Sequence, residues 1–85
     1  MPFDVEYSPD SLIQLESFDK LMARRIVKKI ESTKADPYRY FKRLIGRPES
    51  KLRVGDYRVI AEIDEKEHKI FIRSIGHRRD VYRKH

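Results

Sequence analysis

Residues 51–75 read KLRVGDYRVIAEIDEKEHKIFIRSI, and three strands can be traced through them. Lys51-Leu52-Arg53-Val54 alternates charged and apolar side chains, the period of a strand with one face buried. Gly55-Asp56 is a two-residue turn, since glycine supplies the backbone freedom a tight hairpin needs. Tyr57–Ile63 forms the next strand, Asp64-Glu65-Lys66-Glu67 a polar turn, and His68–Ile75 the third strand, stopped by Gly76. With Gly55-Asp56 as the loop, Val54 opposes Tyr57, Arg53 opposes Arg58 and Leu52 opposes Val59. With Glu65-Lys66 as the second loop, Ala61 opposes Ile70, Val59 opposes Ile72, Glu62 opposes Lys69 and Arg58 opposes Arg73.

Toward the N-terminus, Phe3, Val5 and Tyr7 alternate with Asp4 and Glu6 as a further half-buried strand. Ser8-Pro9 reads as an N-cap followed by proline at the first helical position. Leu12, Ile13 and Leu15 give a short amphipathic helix. Asp19 caps a second helix, whose Leu21, Met22, Ile26, Val27 and Ile30 follow at helical spacing, with Arg24, Arg25, Lys28, Lys29 and Glu31 outside. Asp36-Pro37 ends it. Residues 38–50 are compatible with a turn of helix or a packed loop, broken by Gly46 and Pro48. The tail, HRRDVYRKH, starts a short helix or runs on irregularly. The order β-α-α-β-β-β predicts a single α+β domain over residues 1–85, with a mostly antiparallel four-stranded sheet and an αα-hairpin on one face.

Alternation sorts the side chains. Leu52, Val54, Tyr57, Val59, Ala61, Ile63, Ile70 and Ile72 fall on the face toward the helices. Lys51, Arg53, Arg58, Ile60, Glu62, Lys69, Phe71 and Arg73 fall on the other. Arg53, Arg58 and Arg73 then stand side by side across three strands, and like charges directly opposed destabilise a sheet. An anion lying across them removes the conflict; splaying of the long side chains into water is the alternative. Glu62, Asp64, Glu65 and Glu67 gather near one turn and the basic residues near the other end, a field that orients a phosphate backbone.

The 85 residues carry a net charge of +6 with a pI of about 9.7. Residues 1–35 hold six Lys/Arg and six Asp/Glu, so the excess lies wholly in the second half. A polyanionic partner suits such a chain. There is no cysteine, which excludes disulfides, thiolate chemistry and zinc–sulfur sites. No apolar run approaches the roughly 18 residues of a membrane span. The opening MPFDVEYSPD lacks a basic n-region, so no signal peptide, no membrane and a cytoplasmic location are expected. No phosphate-cradling glycine loop, metal-ligand cluster or serine triad is legible. What remains is guanidiniums, a lysine, a histidine and a tyrosine. That set suits metal-free RNA cleavage by the RNA's own 2′-hydroxyl: guanidiniums stabilise the phosphorane dianion, and two protons must be moved.

The stretch Leu52–Lys84, LRVGDYRVIAEIDEKEHKIFIRSIGHRRDVYRK, closely resembles the RelE/ParE toxin superfamily in its RelE branch. The marks are a basic strand before Gly-x-Tyr-Arg, the hydrophobic strand pair and the terminal Ile-Gly-His-Arg-Arg-Asp-Val-Tyr. A strand and αα-hairpin leading to Lys42-Arg43-Leu44-Ile45-Gly46 is similar, less specifically. The resemblance implies a RelE-like fold and the toxin of a type II toxin–antitoxin pair. It implies an mRNA interferase, an endoribonuclease that cuts mRNA in the ribosomal A site without metal or cofactor and so inhibits translation. Its partners would be a RelB-like antitoxin, the ribosome and mRNA. Carried over by position, Lys51 matches a catalytic lysine, Arg58 the phosphate-stabilising arginine, Arg78 a second catalytic arginine and Tyr82 the C-terminal tyrosine that stacks on or activates the substrate. Arg53 matches a supporting basic residue; Arg73, His77, Arg79 and Arg83 are the further RNA or phosphate contacts expected. Glu49 departs from the pattern, standing where some members have another catalytic lysine, and His77 stands where several have lysine. The general base is therefore open between Lys51, His77 and Tyr82. The alternatives are a ParE-like inhibitor of DNA gyrase acting through protein contacts and an RNA-binding module that does not cleave. Ile60, Phe71 and Ile75 are expected to offer an antitoxin apolar contacts among the arginines.

Overall fold

The first strand, β1 (Asp4–Tyr7), is followed by a helix whose start is fixed as its sequence predicts. Ser8 caps α1 (Pro9–Ser17), its hydroxyl oxygen accepting from the Ser11 N–H, and Pro9 occupies the first turn. Asp19 caps α2 (Lys20–Ser32) by accepting from the Leu21 and Met22 N–H groups. A single turn, α3 (Pro37–Tyr40), and a two-residue strand, β2 (Lys42–Arg43), lead to β3 (Ser50–Val54), β4 (Tyr57–Asp64) and β5 (Lys69–His77). The computed structural model describes residues 1–77. The expected form of the tail falls outside them.

The architecture is α+β, with five strands among the described residues rather than the expected four. The sheet order is β1-β5-β4-β3-β2; β1 runs parallel to β5 and every other pair is antiparallel. The additional strand is β2, too short for its alternation to show in a sequence. Ile26 and Ile30 of α2 pack with Leu52, Val54, Val59, Ala61, Ile70, Ile72 and Ile75, closed by Phe3 and Phe41. Burial of this one face is the main source of stability. Leu12, Ile13 and Leu21, placed on apolar stripes by their spacing, are exposed at 47%, 65% and 75%. For Leu12 and Ile13 the reason lies in what α1 packs against. It lies along the edge of β5, where β1 pairs only with Lys69–Ile72. There the need is for hydrogen bonds: the Ser8 hydroxyl donates to the Arg73 carbonyl (2.7 Å), and the Gln14 side-chain oxygen accepts from the Ile75 N–H (2.6 Å).

The β3–β4 register is the expected one, Val54 opposite Tyr57, Arg53 opposite Arg58 and Leu52 opposite Val59. Gly55 sits at φ 59°, which glycine adopts without strain, and its turn lies against the Arg25 guanidinium of α2. The β4–β5 register differs from expectation. The turn spans four residues, with His68 at φ 57°, so Ile63 faces Ile70 and Ala61 faces Ile72. A bulge then shifts the pairing: Ile60 faces Ser74, Val59 faces Ile75 and Arg58 faces Gly76. Arg73 is the extra residue of this bulge. The bulge turns Ile75 into the core, where it is fully buried, rather than onto the charged face.

Candidate nucleic-acid interface

The face of the sheet turned away from α2 carries the basic residues. Lys51 and Arg53 project from β3, and Arg58 projects from β4 directly opposite Arg53. Across the other edge of β3, Lys51 stands opposite Lys42. Two like-charged pairs are thus set side by side, each unfavourable by up to about 1 kcal/mol in a sheet. The Arg53 Nε–H donates to the Gly55 carbonyl at 3.1 Å. Arg58 is different: it is only 7% exposed, and among the described residues its Nε has no hydrogen-bond partner and its guanidinium no ion pair. A buried guanidinium without a counter-charge is costly, and an arriving anion relieves that cost.

Arg73 does not join this cluster. Its Nε and NH2 groups donate to a single Glu62 oxygen at 3.1 and 2.8 Å, and its guanidinium lies 4.9 Å from the centre of the Phe71 ring. The expected row of three arginines is therefore a pair, because the bulge puts Gly76 rather than Arg73 opposite Arg58. Ile60 is buried, and Phe71 is half-buried beneath Arg73, so neither stands free among the arginines as expected. His77 ends β5 exposed, its ring edge-on to Tyr57 at 5.8 Å; Tyr57 in turn packs against Phe18, half-buried on the helix side as its alternation predicts. Glu49 lies near Arg47, 3.4 Å from its Nε. Arg78, Arg79, Tyr82 and Arg83 lie outside the described residues.

Two open grooves flank the sheet. The larger, about 1030 Å³, runs between α1 and β5 and is lined by Ser8, Gln14, Glu49, Tyr57, Arg73 and His77 among others. The second, about 420 Å³, gathers Lys51, Arg53 and Arg58 with Lys29, Arg39, Tyr40, Lys42 and Leu52. Lys29, Arg39 and Lys42 are site neighbours that sequence reasoning did not single out. The pairing of Lys42 with Lys51 depends on β2, whose two residues are too few to show a period. No metal-ligand group of three His, Asp or Glu side chains is present among the described residues. No helix among them is long and apolar enough to cross a membrane.

Comparison with known proteins places the fold. The RelBE2 toxin–antitoxin complex of Mycobacterium tuberculosis superposes with a TM-score of 0.82 at 21% identity, over 92% of this chain and 100% of the matched one. The archaeal RelE–RelB complex of Pyrococcus horikoshii gives 0.77 at 25% identity, over 92% and 97%. The isolated E. coli RelE toxin gives 0.77 at 18% identity, over 96% and 93%. No curated protein matches the chain in sequence. The model of the ParE toxin of type II toxin–antitoxin systems matches residues 5–82. This match spans nearly the whole chain, from β1 through the basic hairpin, and by it the chain belongs to the ParE toxins of type II toxin–antitoxin systems, within the RelE/ParE superfamily.

Proposed function

We propose that this toxin is a metal-independent endoribonuclease that cuts mRNA in the ribosomal A site, and that a RelB-like antitoxin holds it in check. The observation that carries this reading is Arg58, buried, without a partner among the described residues, and paired across the hairpin with Arg53. A protein acting only through protein contacts needs no phosphate clamp. A scissile phosphate does: the 2′-hydroxyl attacks it, a dianionic phosphorane forms, and the 5′-oxygen leaves with a proton. Arg58 supplies fixed positive charge where the negative charge grows, and Lys51 and Arg53 add to it from the neighbouring strand. Arg78 and Tyr82 are assigned to the same reaction, as second phosphate ligand and as stacking or proton-transfer group. His77 and Lys51 remain the other groups able to move the 2′-hydroxyl proton. The antitoxin reading is supported by the neighbours, which include RelB–RelE complexes.

The family model favours one other reading, because the matched family is named ParE. On that reading the target is DNA gyrase. The two separate in parallel assays of purified toxin. Cuts in mRNA on programmed ribosomes that persist in EDTA, with gyrase supercoiling unaffected, are expected. Inhibited supercoiling with intact mRNA would replace the nuclease reading with the gyrase one.

A further inference from the structure

The groove that holds Lys51, Arg53 and Arg58 continues past them. β2 pairs only with Ser50 and Lys51, so among the described residues the outer edge of β3 from Leu52 onward has no strand beside it. The groove opens at that edge, with Lys29 of α2, Arg39 and Tyr40 of α3 and Lys42 of β2 completing its lining. Of the eight described residues that line it, six are cations and none is acidic. Lys29, Arg39 and Lys42 are all exposed, and no acid pairs with them among the described residues. Tyr40 organises two of them: the Lys29 Nζ lies 5.3 Å and the Arg39 guanidinium carbon 5.9 Å from its ring centre. Residues from α2 and α3 are thereby drawn to one spot. The arrangement runs against self-repulsion, since Lys42 is set opposite Lys51 beside the Arg53–Arg58 pair. Charges so gathered, continuous with a buried guanidinium that has no partner among the described residues, suit a chain of phosphates better than a single anion.

We infer that Lys29, Arg39 and Lys42, drawn together by Tyr40, form a second subsite that binds the phosphates of single-stranded RNA as the strand leaves the Arg53–Arg58 pair. This inference rests on the reading of the site as RNA-binding. The subsite positions the strand and reads no sequence, as phosphate contacts do. Tyr40 is a positioning residue that acts through its two cations.

The test is binding of uncleavable 2′-O-methyl RNA, a trinucleotide and a nonanucleotide, measured by fluorescence anisotropy across a salt series. The proteins are wild type, the groove variant Lys29→Gln/Arg39→Gln/Lys42→Gln, and a control, Arg24→Gln/Lys28→Gln/Lys66→Gln. The control removes equal charge from exposed positions outside the groove. Wild type is expected to bind the longer RNA more tightly, and the groove variant to lose that gain. The salt slope of the groove variant should fall by about 2, at roughly 0.7 per phosphate contact, while the control keeps the wild-type slope. Tyr40→Phe, which keeps the ring, should bind as wild type does, and Tyr40→Leu should lose part of the length gain. Equal losses in groove variant and control, or a groove variant that keeps the length gain, would overturn the subsite while leaving RNA binding at Arg58 standing. Wild type that binds neither RNA would overturn the RNA reading and the subsite with it.

Discussion

Arg58 combines burial with the lack of a partner among the described residues. Both features carry a stability cost, and that cost predicts a trade-off. Arg58→Met keeps much of the side-chain volume and removes the uncompensated charge, so it should raise unfolding free energy by about 1 kcal/mol while abolishing toxicity. Urea unfolding of the two proteins beside a growth assay checks both halves. Tyr7 offers a second, independent test. Its hydroxyl is buried without a hydrogen-bond partner among the described residues, and burial, helped by the Glu31 charge, pushes its pKa up to about 12. The unfolded chain loses that proton near pH 10. The contribution of the neutral ring is therefore fully present below pH 10 and is lost as pH rises toward 12, by about 1–2 kcal/mol for a half-buried group. Tyr7→Phe should flatten that alkaline loss in a pH series of thermal unfolding. At this scale the sequence was readable where chemistry is local: Ser8 and Asp19 cap their helices as their neighbours predict, and Arg58 stands opposite Arg53. It was not readable for Arg73, whose Glu62 partner depends on a register set elsewhere.

The elements divide in the same way. The β3–β4 hairpin follows from its sequence because a two-residue turn with glycine first permits one register. Gly55 is held there twice over, by φ 59° and by the Arg25 guanidinium, whose nearest nitrogen would lie 3.2 Å from an added Cβ. Gly55→Ala should cost about 1–2 kcal/mol and, by disturbing the Arg53–Arg58 register, lower activity beyond what the loss of stability explains. A shifted urea midpoint together with reduced cleavage by fully folded protein is the expected result. The β4–β5 hairpin was not readable to the same degree, since a four-residue turn and a bulge both preserve alternation while shifting partners. The bulge has a consequence for the site: it gives Arg58 a glycine neighbour on β5. The exposure of Leu12 and Ile13 has a parallel cause. Helical spacing says which residues share a face, and α1 turns Ser11 and Gln14, rather than an apolar stripe, toward the strand edge.

Across the whole molecule, charge and topology act together. The sheet order β1-β5-β4-β3-β2 puts the apolar face under α2 and the basic residues of β3 and β4 on the opposite face. The balance of charge along the chain was legible from the sequence, and so was the α+β class, from the order of its elements. The gathering of Lys29, Arg39 and Lys42 with Lys51 was not, because it is made by elements distant in sequence. The measurement that bears most heavily on this account is single-turnover cleavage of a defined mRNA in the ribosomal A site, by wild type and by Arg58→Ala, with folding of both verified. The account predicts EDTA-resistant cuts by wild type and a loss of roughly 100-fold or more in Arg58→Ala, the scale seen when one transition-state charge ligand is removed. Cleavage by Arg58→Ala within a few fold of wild type would contradict it, since the buried guanidinium would then not be where the phosphate reacts.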